Sequence, residues 1–309
     1  MRASSAALAK QRRHDYIKIG TEQHKQRFCD AFIASHNPYD PELLPWPALE
    51  PAALDRLRAI PFWPEVLYTE RRAGAIVDAY GATIDDPLVR QAVALQGFEE
   101  ARHARLLKLM TRRYGIEAEE TPLEPLKRDL YRAFADFGYG ECLDAFLGFG
   151  VFEMARRAAY LPEALFAIFD TLLREENRHI VFFTNWMAWE QARRGRGPGP
   201  LRSLIALRYY LGAVARLLRT VRRGQTANGG RDFSATEASI FIDGFSLRAL
   251  VEVCCAEHRR RMQVFDPKLL QPRLLPRVAA VALAAIRLTT PAAASLTSSG
   301  PISSGNDRP

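Results

Sequence analysis

The segments Glu99-Glu100-Ala101-Arg102-His103 and Glu175-Glu176-Asn177-Arg178-His179 carry one pattern of residue types, and they constrain the fold more than any other part of the chain. Twenty glutamates and six histidines in 309 residues give about 0.4 Glu-x-x-His pairs by chance. Two pairs that also share the preceding Glu and the internal Arg are therefore significant. In a helix, residues i and i+3 project from one face, so each Glu and His can bind one metal ion or bridge two.

The segments around both motifs have the hydrophobic periodicity of helices. Apolar residues recur at i, i+3, i+4 and i+7, and no segment shows sustained period-2 alternation. The sequence therefore predicts an all-α protein. The predicted long helices span 64–80, 87–114, 140–160 and 162–194, with a further helical stretch at 123–137. The second of these has Asp85 or Asp86 as its N-cap, Pro87 in its first turn and Gly115 after its end.

A pair of metal ions needs more carboxylates than the two motifs supply. Hard oxygen ligands with a few imidazoles suit iron, and carboxylate bundles add one Glu from each of two further helices. Glu70 lies 30 residues before Glu100, which places both at similar heights in a hairpin. Glu153 lies in an apolar run of the third helix, where an unpaired carboxylate would cost several kcal/mol. We therefore predict Glu70 and Glu153 as the additional ligands.

The second hairpin leaves an alternative open. Glu153 precedes Glu176 by only 23 residues, which places the two about 9 Å apart in height at the rise of a helix. Asp144, 32 residues before Glu176, is the alternative ligand. Asp78 and Asp144 are candidate acceptors for the second ring nitrogen of each histidine. Glu99 and Glu175, at i−3 from an arginine, are expected to form ion pairs within their own helices.

This order of residues resembles the ferritin-like di-iron carboxylate superfamily over about residues 62–192, and the Glu-Glu-Asn-Arg-His form is similar to that of acyl carrier protein desaturases. The resemblance implies a four-helix bundle at 62–194 with a dimetal site at its centre. It implies that Glu100 and Glu176 bridge the ions, that His103 and His179 each bind one, and that Glu70 and Glu153 are terminal ligands. No catalytic residue beyond these ligands is predicted.

The resemblance also implies two Fe ions, with Mn/Fe or Mn/Mn as alternatives. The expected function is that of a non-haem oxidoreductase, an oxygenase, desaturase or oxidase that uses O₂ on an apolar organic substrate. A ferredoxin or a reductase is the expected electron donor. Two other hypotheses remain open at this point: an iron-storage or peroxide-scavenging protein, and a non-catalytic scaffold that binds a membrane surface or a partner.

The remaining segments flank the bundle. Residues 1–61 are predicted to form an N-terminal strap with helices near 20–36 and 51–59, residues 195–288 a helical extension, and residues 289–309 a disordered tail. Four cysteines without metal-type spacing and the lack of 18 consecutive apolar residues favour a cytoplasmic protein, with peripheral membrane contact as an alternative.

The positive charge is confined to the last third of the chain. Residues 193–309 contain 19 Lys+Arg against 7 Asp+Glu, whereas residues 1–192 contain 24 against 28. The predicted helix 201–223 is basic and amphipathic, and we expect its apolar face to pack on the bundle. A membrane surface or an acidic carrier protein is the alternative partner of this helix, and a homodimer is a further possibility. No recognised motif favours nucleic acid.

Overall fold

A computed structural model describes residues 17–196, 199–227 and 246–289, and all regular structure within these ranges is helical. The prediction of an all-α protein is confirmed. The predicted disordered tail, apart from Thr289, lies outside the described residues, and so do residues 228–245 of the predicted helical extension. The helices are α1 Glu22–Ala34, α2 Pro51–Arg58, α3 Trp63–Gly81, α4 Pro87–Tyr114, α5 Leu130–Arg157, α6 Glu163–Arg193, α7 Gly199–Ala227, α8 Leu247–Met262 and α9 Leu274–Thr289; a short 3-10 turn spans Pro41–Leu43.

The boundaries of α4 follow from capping residues. Asp86 caps its beginning, where the side chain accepts hydrogen bonds from the backbone N–H groups of Leu88 and Val89. Pro87 occupies the first turn, where no N–H donor is needed. Gly115 ends the helix at φ 59°, a left-handed conformation that favours glycine. The sequence prediction of this helix is confirmed at both ends.

The third long helix differs from its prediction. One continuous helix, α5, replaces the stretch predicted at 123–137 and the helix predicted at 140–160. Gly138 continues the helix because a glycine is needed there for packing: a Cβ atom at this position would lie 2.2 Å from the ring of Phe183 on α6. Gly138 and Gly150 allow α5 to approach its neighbours closely.

Four long helices pack around the two motifs. α3 and α4 form one hairpin, α5 and α6 form the other, and contacts join α3 to α5 and α4 to α6. α1 lies across α4 and α6. Two apolar clusters fill the interior at different heights. One contains Val77, Val93 and Ile180, the other Leu67 and Leu106. Both motifs lie between these clusters, so the interior has a polar layer between two apolar ones.

The C-terminal helices pack on α5 from outside. α8 approaches closely at Gly150, where an added Cβ would lie 2.2 Å from the sulfur of Cys254. α7 packs through Tyr210 and Ala213, which are buried. The prediction that the apolar face of this helix packs on the bundle is correct for Tyr210 but wrong for Leu207, Leu211, Val214 and Leu218, which are exposed. Within the described residues, no helix is long and apolar enough to cross a membrane.

Candidate metal centre

The structure brings five of the six predicted ligands together in the polar layer. They are Glu70 on α3, Glu100 and His103 on α4, and Glu176 and His179 on α6. Glu141 on α5 completes the set. The six side chains form two groups in which the candidate ligand atoms lie within 4.8 Å of one another, and Glu100 belongs to both groups. Two neighbouring cation positions that share one carboxylate fit this arrangement.

The first group is centred on His103. Its Nδ1 lies 3.0 Å from Glu176 Oε1, 3.4 Å from Glu70 Oε2 and 3.8 Å from Glu100 Oε2. The imidazole is fully buried, whereas the Glu70 and Glu176 side chains are 13% and 12% exposed. Three carboxylates and one imidazole from three helices therefore surround one position, and this position is open to solvent on the side of Glu70 and Glu176.

The second group is centred on His179. Its Nδ1 lies 3.1 Å from Glu100 Oε1 and 3.1 Å from Glu141 Oε1. Glu176 is hydrogen-bonded to Glu141, so it also borders this group. The buried amide of Gln96 donates to Glu100 Oε1 (3.2 Å) and to Glu141 Oε2 (3.5 Å). The rings of the two histidines are 5.6 Å apart between centroids, which leaves the carboxylates between them.

The position expected for Glu153 is taken by Glu141. Glu153 is 19% exposed, and its carboxylate accepts a hydrogen bond of 2.7 Å from Arg157 Nε one turn further along α5. Arg157 therefore neutralises the Glu153 carboxylate, so the apolar sequence context of Glu153 does not require a metal ion. The alternative ligand, Asp144, is exposed and belongs to neither group.

The observed register of the α5–α6 hairpin explains why Glu141 joins the centre and Glu153 does not. Glu153 lies at the wrong height for Glu176, because α5 ends only four residues after it. Glu176 lies 13 residues after the beginning of α6, and Glu141 lies 16 residues before the end of α5. These two residues therefore have similar heights. Glu153 was predicted from its apolar sequence context, whereas this register favours Glu141.

The first Glu of each motif supports the histidine of the other motif. His103 Nε2–H donates to Glu175 Oε2 (2.9 Å), and His179 Nε2–H donates to Glu99 Oε2 (2.9 Å). Each hydrogen bond crosses between α4 and α6. The prediction of Asp78 and Asp144 as these acceptors is wrong, because both are exposed and Asp78 lies against Gly97. Such acceptors fix the orientation of a ligand imidazole and raise its basicity.

The two arginines complete this reciprocal arrangement. Arg178 Nη1 donates to Glu99 Oε1 (2.9 Å), and Arg102 forms a hydrogen-bonded ion pair with Glu175. The expected pairing within one helix is at most a weak contact, since Arg102 and Glu99 are 3.9 Å apart. The segment after α1 adds His36, whose Nδ1–H donates to Glu99 Oε1 at 2.6 Å.

A third group of acids and a histidine, formed by His36, Glu99 and Glu175, lies beside the first two. Two buried guanidinium groups already neutralise its carboxylates. This group is therefore explained as the support of the two ligand histidines rather than as a third cation position.

The electrostatics of the centre indicate an excess of buried negative charge. Burial raises the pKa of Glu70 to about 7, although the nearby imidazole of His103 opposes the shift. Burial and the charge of Glu100 raise the pKa of Glu141 well above its ordinary value. Burial alone would lower the pKa of His103 and His179, but the surrounding carboxylates hold both well above the ordinary value. The centre therefore takes up positive charge.

One buried atom bears on whether the centre suits a cation. His103 Nδ1 has no hydrogen-bond partner, although three carboxylates lie around it. With Nε2–H directed to Glu175, the neutral form of the ring would carry a lone pair on Nδ1 that faces negatively charged oxygens. A cation bound between them would use the lone pair and the oxygens together. Four carboxylates and two imidazoles also suit the charge and ligand preference of two divalent first-row metal ions.

Comparison of the chain with protein-family models, with curated proteins and with solved structures gave no match.

Proposed function

We propose that the protein is a ferritin-like di-iron oxidoreductase that uses O₂ to oxidise an apolar organic substrate. The observation that carries the proposal is the pair of Glu-x-x-His motifs on α4 and α6, completed by Glu70 and Glu141 on the two remaining helices of the bundle. Carboxylate-bridged di-iron proteins use one Glu from each of two helices and a Glu-x-x-His from each of the other two.

The ligand residues divide into three roles under this proposal. Glu70, with His103, would hold one ion, and Glu141, with His179, would hold the other. Glu100 belongs to both groups and Glu176 borders both, so these two carboxylates would lie between the ions. Two bound ferrous ions would supply electrons and open coordination positions for the reduction of O₂.

The surrounding chain controls which molecules reach the centre. The two apolar clusters above and below it exclude bulk water, which would otherwise compete for the oxidising equivalents. Glu70 and Glu176 are the most exposed ligands at 13% and 12%, against 7% for Glu141 and 2% for Glu100, so the edge between α3 and α6 is the open side. The cross-helix acceptors Glu99 and Glu175 keep both imidazoles in a single orientation.

Oxygen consumption tests this function. The metal-free protein is loaded with Fe²⁺ under anaerobic conditions and then mixed with O₂ and a reductant, with and without fatty acyl or aromatic compounds. We expect O₂ uptake that one class of compound accelerates, together with transfer of ¹⁸O to that compound or removal of hydrogen from it. Rapid consumption of hydrogen peroxide with no organic product would instead support a peroxide-scavenging protein.

A further inference from the structure

α7 presents an apolar surface to solvent in addition to the surface that packs on α5. Five of its residues follow one another at alternating spacings of three and four, so they form one stripe along the helix. We call this stripe the leucine face; its members, with exposed fractions in parentheses, are Leu204 (63%), Leu207 (43%), Leu211 (62%), Val214 (37%) and Leu218 (50%).

The leucine face is not the face that holds α7 on the protein. Tyr210 and Ala213 are buried against α5, and the ring of Tyr210 lies 5.1 Å from that of Tyr139. At about 100° per residue, the centre of the leucine face is rotated by about 120° from this packing face. An isolated exposed leucine needs no explanation, but five in one stripe on a helix that is already anchored indicate a binding surface.

The other edge of the leucine face is positively charged. Arg208 and Arg219 are exposed and lie about 80–100° from the centre of the leucine face, on the side away from α5. Arg216, further round the helix, donates to the Asp136 carbonyl (3.1 Å) and belongs to the α5 contact. α7 contains no Asp or Glu.

These charges distinguish between two partners that could cover the leucine face, a second copy of the chain and an anionic lipid surface. A second copy of the chain packed on the leucine face would bring another acid-free helix and another set of arginines, and the like charges would repel. An anionic lipid surface supplies an apolar interior for the leucines and phosphate groups for the arginines. We propose that α7 docks the protein on anionic membranes, with the leucine face among the acyl chains and with Arg208 and Arg219 at the headgroups.

Vesicle flotation tests the docking surface. The full chain is mixed with vesicles of phosphatidylcholine alone or of equal parts of phosphatidylcholine and anionic phosphatidylglycerol. We expect flotation with the anionic vesicles only, and a decrease of the bound fraction at high salt because salt screens the arginines. Docking uses no metal ligand, so the metal-free protein is expected to give the same result, and a failure here leaves the proposed function untouched.

Paired variants separate the leucine face from general hydrophobicity. Leu211→Ser combined with Leu218→Ser is expected to lower the partition coefficient by about tenfold or more. Leu43→Ser is the matched control, because Leu43 is 84% exposed on a different surface. Arg208→Gln with Arg219→Gln should reduce the preference for anionic vesicles, whereas Arg112→Gln with Arg128→Gln, both exposed elsewhere, should not.

Circular dichroism and the thermal transition show whether each variant is folded, and sedimentation velocity gives its oligomeric state. The proposal is overturned if the folded wild-type chain floats with neither vesicle, or if the Leu211/Leu218 variant floats as well as Leu43→Ser. It is also overturned, in favour of a second copy, if a wild-type dimer dissociates on the Leu211/Leu218 substitution.

Discussion

Glu141 completes the candidate ligand set, because it joins the five predicted side chains in the polar layer. Four of the six candidate ligands were predictable because two motifs with identical spacing rarely arise together by chance, and Glu70 was predictable from its distance to Glu100 in a hairpin. Glu141 was not, because nothing in its own sequence context marks it. Its role depends on the register between α5 and α6, which is set where the chain turns between the two helices. The same applies to Glu99 and Glu175, whose partners lie on the opposite helix.

Glu175 gives a prediction at the scale of a single residue. Glu175→Gln removes the charge that pairs with Arg102 while it keeps an oxygen that can accept from His103 Nε2–H. The imidazole then becomes less basic, and we expect the affinity for Fe²⁺ to fall by about 10- to 100-fold. Equilibrium dialysis under anaerobic conditions measures this affinity.

Glu163→Gln on the same helix is the control, because Glu163 is 71% exposed and its contact is an ion pair with Arg156. An affinity of Glu175→Gln equal to that of Glu163→Gln would show that the cross-helix hydrogen bond does not support the centre.

At the scale of elements, hydrophobic periodicity and capping residues predict a helix correctly where tertiary contacts do not oppose them. α4 has both, and its ends agree with the prediction. α5 shows where local reasoning fails, since glycine lowers helix propensity by roughly 0.5–1 kcal/mol relative to alanine but permits close packing. At Gly138 the close packing against Phe183 outweighs the propensity cost, because a Cβ atom there would overlap the ring. Contacts of this kind depend on residues that are remote in sequence.

Two glycines of α5 test this interpretation directly. Gly150→Ala would place a Cβ 3.1 Å from the backbone of Cys254 on α8, where the neighbouring helix has to move, and we expect a loss of about 1–3 kcal/mol in the free energy of unfolding. Gly148→Ala meets nothing within 4 Å, so improved helix propensity should stabilise it by about 0.5–1 kcal/mol. Urea denaturation measures both, and equal effects of the two substitutions would contradict the close packing of α8 on α5.

At the scale of the whole molecule, the buried carboxylates link stability to pH. The raised pKa of Glu70, about 7, means that the metal-free native state binds more protons than the unfolded chain above the ordinary carboxyl pKa. The raised pKa values of His103 and His179 act in the same direction above about pH 6.5. The free energy of unfolding of the metal-free protein should therefore fall as pH rises.

We expect the Tm of the metal-free protein to decrease between about pH 6 and about pH 8, and the Tm of the Fe²⁺-loaded protein to change much less, because metal ions replace the protons. Scanning fluorimetry across this range, in anaerobic buffer, measures both. A Tm of the metal-free protein that rises with pH would have the wrong sign for this centre.

The molecule as a whole consists of a bundle that concentrates negative charge inside and a C-terminal part that carries positive charge outside. The net charge of each region can be counted from the sequence, but the position of the charged side chains in the structure cannot. The interior acids converge on one centre, and the arginines of α7 border an exposed apolar face. Under the two proposals, chemistry and membrane attachment belong to different helices.

The most direct test of the di-iron centre is an anaerobic titration of metal-free protein with Fe²⁺, followed by elemental analysis of the desalted protein. We predict about two iron ions per chain for the wild type and for Glu153→Ala, and about one or fewer for Glu141→Ala. Retention of two ions by Glu141→Ala together with loss of iron from Glu153→Ala, or a folded wild-type chain that binds no iron, would contradict the account.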